Sequence, residues 1–195
     1  MADRSEGRAG RGAVDAAVAA VVLAGGTGAR LGGADKAGIE HAGRTLLEHA
    51  LVATAAATQT VVVGDPVPTS RPVTFTREDP THGGPAAGLL AGVAALAAPP
   101  RLVVVLAVDM PHVTAATVTR LLEAADGHDG AFLADPDGRR QLAGVVAAEA
   151  LARVAPADPH GLPLHQLLGP LELATVPAHG AESADVDTWA DLRDL

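Results

Sequence analysis

Seven short apolar runs are separated by turn residues or by stretches with helical spacing, a pattern that few architectures accommodate. The first, residues 18–23 (VAAVVL), is continuous and stops abruptly at Gly25-Gly26, as a strand buried on both faces does. Similar runs recur at 60–63, 73–76, 102–108, 130–134, 142–147 and 171–176. Between them, 45–56, 86–96 and 115–125 place apolar residues at helical spacing, each long enough for about three turns. Alternation of strand and helix predicts a three-layer α/β architecture around a mainly parallel sheet. Ligands of such sheets sit outside the carboxyl ends of the strands, so the loops after the first, third and fourth runs are where a site is expected.

Composition agrees with that architecture. Apolar residues make up 48% of the 195 and aromatics only 2%, so the core must be close-packed Ala, Val and Leu. The length suits one domain, expected over 18–195, with residues 1–17 as a disordered tail. Residues 1–15, rich in Gly, Ala and Arg, have no apolar core of a secretory signal, and their acids Asp3, Glu6 and Asp15 speak against a transit peptide. The Pro and Gly clusters at 66–72, 99–100 and 156–163 are short enough to be ordinary connections. A formal charge of −9 argues against a partner made of nucleic acid, which demands a basic footprint. Without cysteine there are no disulfides or thiolate metal sites, and no apolar run approaches membrane-spanning length, which makes the cytoplasm the simplest address.

After the first run comes LAGGTGARLGGADK, residues 23–36, with glycines at 25, 26, 28, 32 and 33 and cations at Arg30 and Lys36. Glycines permit close backbone approach and positive φ, so several N–H groups can converge on an anion while Arg30 and Lys36 neutralise it. The same loop also reads as a tight strand-to-helix turn carrying two solvated cations. Gly26, Gly28 and Gly32 match the G-x-G-x-x-x-G spacing of some reductases, although no acid ends a second strand about 20 residues on. A Walker A loop is excluded, because Ala37 follows Lys36 where Ser or Thr would hold magnesium.

Together with GRTLLEHAL at 43–51, this loop resembles the signature of the molybdenum-cofactor guanylyltransferases and their MobA-like NTP transferase relatives. The resemblance extends from Val18 to the end of the chain, with 149–170 matching only in outline. It implies a Rossmannoid fold like that of nucleotide-diphosphosugar transferases, of the GT-A type. It implies further that Leu23, Ala24, Gly25 and Gly26 hold the nucleotide through the backbone, and that Arg30 and Lys36 bind the triphosphate.

The fourth run, LVVVLAVDMP, sets Asp109 at its C-terminal end, where a carboxylate serves as a hard oxygen ligand or as a turn or cap acid before a helix near Thr114. By resemblance, Asp109 is the principal Mg²⁺ ligand. REDPTHGGPAAGLLAG at 77–92 reads on its own as a turn at Asp79-Pro80 followed by a helix. By resemblance, Asp79 and the segment from Gly84 to Gly88 line the nucleotide site. Near the end, ADVDTWADLRDL resembles the family's V-N-T-P-E-D-L tail, with Trp189-Ala190 in place of Pro-Glu. Thr188 and Asp191 are expected to cap a last helix that buries Leu192 and Leu195 with Trp189. By resemblance, Asp187 reaches the metal or the incoming phosphate opposite Asp109; on its own it reads as a cap. Gln141 matches a family position near the acceptor, and of eight histidines, none at metal-ligand spacing, only His82 in the Gly-rich turn stands out.

What the resemblance implies is catalysis by Arg30, Lys36 and Asp109, with Asp109 and Asp187 on Mg²⁺. The substrates are GTP and molybdopterin phosphate, the products pyrophosphate and a guanine dinucleotide cofactor. Transient contact with the molybdoenzymes or chaperones that receive the cofactor also follows, and neither nucleic acid nor membrane is an expected partner. Two alternatives stay open: a cytidylyltransferase or other NTP transferase with a different phosphorylated acceptor, and, from another class, an NADPH-dependent reductase or non-catalytic nucleotide-binding module.

Overall fold

The computed structural model describes residues 18–25 and 35–194. In chain order it contains β1 (Val18–Leu23), a 3-10 turn (Lys36–Gly38), the small hairpin β2 (Glu40–His41) and β3 (Arg44–Thr45), and α1 (Leu46–Ala53). There follow β4 (Gln59–Val63), β5 (Thr74–Thr76), α2 (Gly84–Ala94), β6 (Leu102–Ala107) and α3 (Ala115–Ala124). Then come β7 (Gly130–Ala134), β8 (Arg140–Ala147), α4 (Ala148–Val154), α5 (Leu164–Leu168), β9 (Leu173–Pro177) and α6 (Trp189–Asp194). All seven expected strands lie in one sheet of order β5-β4-β1-β6-β8-β7-β9. β5, β4, β1 and β6 run parallel to one another, as β7 does to β9, whereas β8 is antiparallel to both β6 and β7.

Strand alternation divides the core between two faces. Val104 and Leu106 of β6 belong with Ala20, Val22 and Val62 to a cluster covered by α1 and α3. Val103 and Val105 belong with Val21 and Val63 to a second cluster, covered by α2, α4 and α5. The period of two in a strand therefore produces the three layers directly. Small residues let the layers approach closely: a Cβ at Gly92 of α2 would stand 2.5 Å from Val21 Cγ1 and 3.0 Å from Val63 Cγ2.

Helix starts are locally encoded. The Thr45 hydroxyl accepts the Glu48 N–H at 3.1 Å to cap α1, and Thr114 with Thr117 forms a capping box at the start of α3. Asp109 is therefore free of that capping duty. The short helices α4 and α5 and the β2–β3 hairpin were not among the expected elements; at seven, five and two residues per segment they carry too little periodicity to register. No described helix is long and apolar enough to cross a membrane. Residues 1–17, expected as a tail, lie outside the described residues.

Candidate active site

Strand order reverses at β1, whose neighbours are β4 on one side and β6 on the other, and that is where an α/β sheet opens a crevice. A cleft of about 340 Å³ lies there. Its described wall is Leu23, Gly25, Val63, Glu78, His82, Gly84, Pro85, Gly88, Ala107, Asp109 and Leu142. The size suits a small-molecule ligand. Gly84 and Pro85 begin α2, so the positive end of an 11-residue helix forms part of the wall, a favourable setting for an anion. The turn leading into α2 carries a cis Asp79-Pro80 bond and left-handed backbone at His82 (φ 65°) and Gly84 (φ 86°), and the His82 N–H donates to Glu78 Oε1 at 3.0 Å.

Beside the cleft, Lys36 begins the 3-10 turn, which Asp35 caps by accepting the Ala37 N–H at 3.0 Å. The Lys36 ammonium donates to Asp109 Oδ2 at 2.9 Å and to Asp187 Oδ1 at 2.7 Å. Burial pulls this ammonium down, but hydrogen bonds and charge from Asp187 and Asp109 outweigh it and hold it above the ordinary lysine value. Lys36 is thus a fixed cation. The Val186 N–H donates to the Asp109 carbonyl oxygen at 2.8 Å, and the Val186 side chain is fully buried. Asp185 and Asp187 flank the buried Val186 in the chain. Burial, then the charges of Asp187 and Asp109, raise the Asp185 carboxyl above its usual range.

Two carboxylates that share one ammonium are spaced to share a cation, and carboxylate oxygen is the donor that a hard divalent cation takes. Among the described residues, no group of three His, Asp or Glu is arranged to hold a metal ion. The pair fits a cation that takes one or two carboxylates and fills its remaining positions with water and phosphate oxygens.

The structure brings Leu23, Gly25, Gly84 and Asp109 to one cleft and joins Asp109 to Lys36 and Asp187. Ala24 is buried and its N–H donates to the Val63 carbonyl at 2.9 Å. Asp79 is exposed and does not line this cleft; its neighbour Glu78 does. Gly26 and Arg30 lie outside the described residues. Gln141 donates to Asp135 Oδ2 at 3.0 Å, within the β7–β8 hairpin. At the final helix, Thr188 Oγ1 accepts the Asp191 N–H at 3.2 Å and Asp191 Oδ2 accepts the Thr188 N–H at 2.7 Å, the expected capping arrangement. Leu192 packs on the core, but Trp189 is 48% exposed and not buried as expected: it is the first residue of α6, where a side chain tilts back past the helix start. Leu195 lies outside the described residues.

Sequence reasoning passed over Glu78 and Asp185. The D-V-D alternation around an apolar Val186 was the available signal for Asp185, whereas nothing local distinguishes Glu78 from Asp79. It also passed over a cluster of His41, His49 and His112, with ring centroids 5.6 and 6.0 Å apart from His41. Burial, then His41 and His49, push His112 below the usual histidine value.

Comparison with known proteins gives this geometry a context. Residues 20–172 match the family model described as the MobA-like NTP transferase domain. A molybdenum cofactor guanylyltransferase from Acidiphilium cryptum is 44% identical over 79 residues, a stretch covering 38% of this chain and 40% of that enzyme. Among solved structures, molybdopterin-guanine dinucleotide biosynthesis protein A of Archaeoglobus fulgidus is 22% identical with a TM-score of 0.71, covering 90% of this chain and 95% of its own. Rv0371c of Mycobacterium tuberculosis in complex with manganese is 19% identical with a TM-score of 0.72, over 91% and 96%. The 2-C-methyl-D-erythritol 4-phosphate cytidylyltransferase of Thermus thermophilus is 23% identical with a TM-score of 0.63, over 89% and 94%. At these identities the structural likeness speaks for the fold.

Proposed function

Because the chain belongs to the MobA-like NTP transferase domain family, we propose that it transfers GMP from GTP to the phosphate of molybdopterin and releases pyrophosphate. The observation that carries this reading is the Lys36 ammonium held between Asp109 and Asp187 at the wall of a cleft sited at the strand-order switch. The likeness to a curated guanylyltransferase supports the choice of donor and acceptor.

A phosphate oxygen of the acceptor attacks the α-phosphorus of GTP in line. The new P–O bond forms as the bond to the β-phosphate bridge oxygen breaks, and pyrophosphate departs with the electron pair. No protein nucleophile or general base is needed, since the attacking oxygen is already anionic. What remains for the protein is positioning and charge stabilisation. Lys36, with Arg30 from the preceding glycine loop, offsets the charge that gathers on pyrophosphate. Leu23, Ala24, Gly25 and Gly26 bring backbone close to the nucleotide, and the start of α2 at Gly84 adds a dipole favourable to phosphate. Asp109 and Asp187 would hold Mg²⁺, which when bound supplies charge neutralisation across the triphosphate. The reading has the enzyme act in the cytoplasm.

Cytidylyl transfer is the second reading, supported by the shared fold with a cytidylyltransferase. The two differ in the base and not in the phosphate chemistry. Calorimetric titration with GTP, CTP, ATP and NADPH, each with and without Mg²⁺, separates them. Magnesium-dependent preference for GTP is expected, preference for CTP would move the chain to the sister activity, and metal-independent NADPH binding would overturn both.

A further inference from the structure

Outside the lining of the cleft sits a carboxylate that the chemistry above does not use. Glu182 is 8% exposed, yet charged, and lies in the connection between β9 and α6. It accepts four hydrogen bonds: Thr117 Oγ1 at 2.6 Å and Arg120 Nη1 at 2.8 Å on Oε1, and Arg120 Nη2 at 3.0 Å and the His179 N–H at 2.7 Å on Oε2. Arg120 extends the contact by donating to the Pro177 carbonyl at 3.0 Å. A buried charge is stable only when its lone pairs are satisfied in this way, and loss of one partner leaves the other uncompensated.

The position of this cluster matters more than its strength. Thr117 belongs to the capping box that starts α3, and residues 110–113 are all that separate the Thr114 cap from Asp109. Glu182 stands five positions before Asp187, with Val186 bonded through its N–H to the Asp109 carbonyl. Both acid-bearing segments are therefore tied to the same helix start, one by covalent continuity and the other by Glu182.

From this geometry we infer that Glu182 is a positioning residue: its bonds to Thr117 and Arg120 fix the 182–187 segment against α3 and so set the separation of the Asp187 and Asp109 carboxylates. The inference rests on the reading of Asp109 and Asp187 as a metal pair, and supporting groups behind ligating side chains are known to govern metal affinity.

The test uses the full chain and its Glu182→Gln variant, with Arg120→Met as a second route to the same loss should Glu182→Gln fold poorly. Two quantities are read: hydrogen exchange at the Val186 N–H and affinity for Mn²⁺ alone. The variant is expected to speed Val186 exchange while Val104, in the centre of the sheet, stays protected, and to weaken Mn²⁺ binding about tenfold. Unchanged Val186 exchange, or faster exchange with full Mn²⁺ affinity, overturns the inference. An Asp187→Asn variant separates the two readings: if it binds Mn²⁺ as well as the parent, the metal-pair assignment fails, whereas the clamp on the backbone is still decided by Val186.

Discussion

Lys36 shows how much one residue is asked to do. Its ammonium satisfies two carboxylates from segments 73 and 151 positions away in sequence, and its raised proton affinity keeps it charged throughout the working range of pH. Replacing it by alanine is expected to weaken nucleoside triphosphate binding about tenfold, equivalent to ~1.4 kcal/mol, as read by calorimetry. Unaltered affinity would mean that the ammonium serves only the aspartates. Asp109 contributes a carboxylate and a carbonyl, and only the carboxylate is assigned to chemistry. Asp109→Asn should therefore keep the Val186 bond and the melting temperature while lowering turnover by about a hundredfold or more. Near-normal pyrophosphate release from that variant at saturating Mg²⁺ would remove Asp109 from the metal site.

At the scale of elements, the glycines of α2 decide how near this helix comes to the sheet. Gly92→Val inserts branched carbon where even a Cβ meets Val21 at 2.5 Å, so a loss of about 2 kcal/mol in urea unfolding is expected from overpacking. Stability equal to the parent would show that α2 can move outward freely. The strands were legible because uninterrupted Val, Leu and Ala runs such as 102–108 are hard to accommodate except as buried strands. The direction of β8 was less so, although Asp135-Pro136-Asp137-Gly138 carries the signal of a tight hairpin. Asp135 accepts the N–H groups of Asp137 and Arg139, Gly138 is left-handed, and β8 returns antiparallel to β7. In the site, Asp109 and Lys36 were marked by the strand end and the glycine loop they occupy, because local context places them. The exposure of Trp189 and the choice of Glu78 over Asp79 depend on how loops fold against distant elements, which single-segment patterns do not encode.

For the whole molecule, the Glu182 cluster links stability to pH. Burial pushes this carboxyl up, but Arg120, Thr117 and the His179 N–H outweigh it and hold it at about 2. A carboxyl lowered from about 4.5 on folding contributes stability that is complete above the unfolded value and lost as pH falls toward 2, on the order of 3 kcal/mol in all. Urea midpoints at pH 7 and pH 3 should differ less in Glu182→Gln than in the parent, with the variant weaker at pH 7; parallel curves would contradict this assignment. Pyrophosphate release from GTP in the presence of molybdopterin, with and without Mg²⁺, decides whether the chain catalyses nucleotidyl transfer. Release is expected to require both the acceptor and the metal and to collapse in Asp109→Asn. Absence of release from GTP or CTP under those conditions, with the protein folded and nucleotide bound, would contradict nucleotidyl transfer to this acceptor.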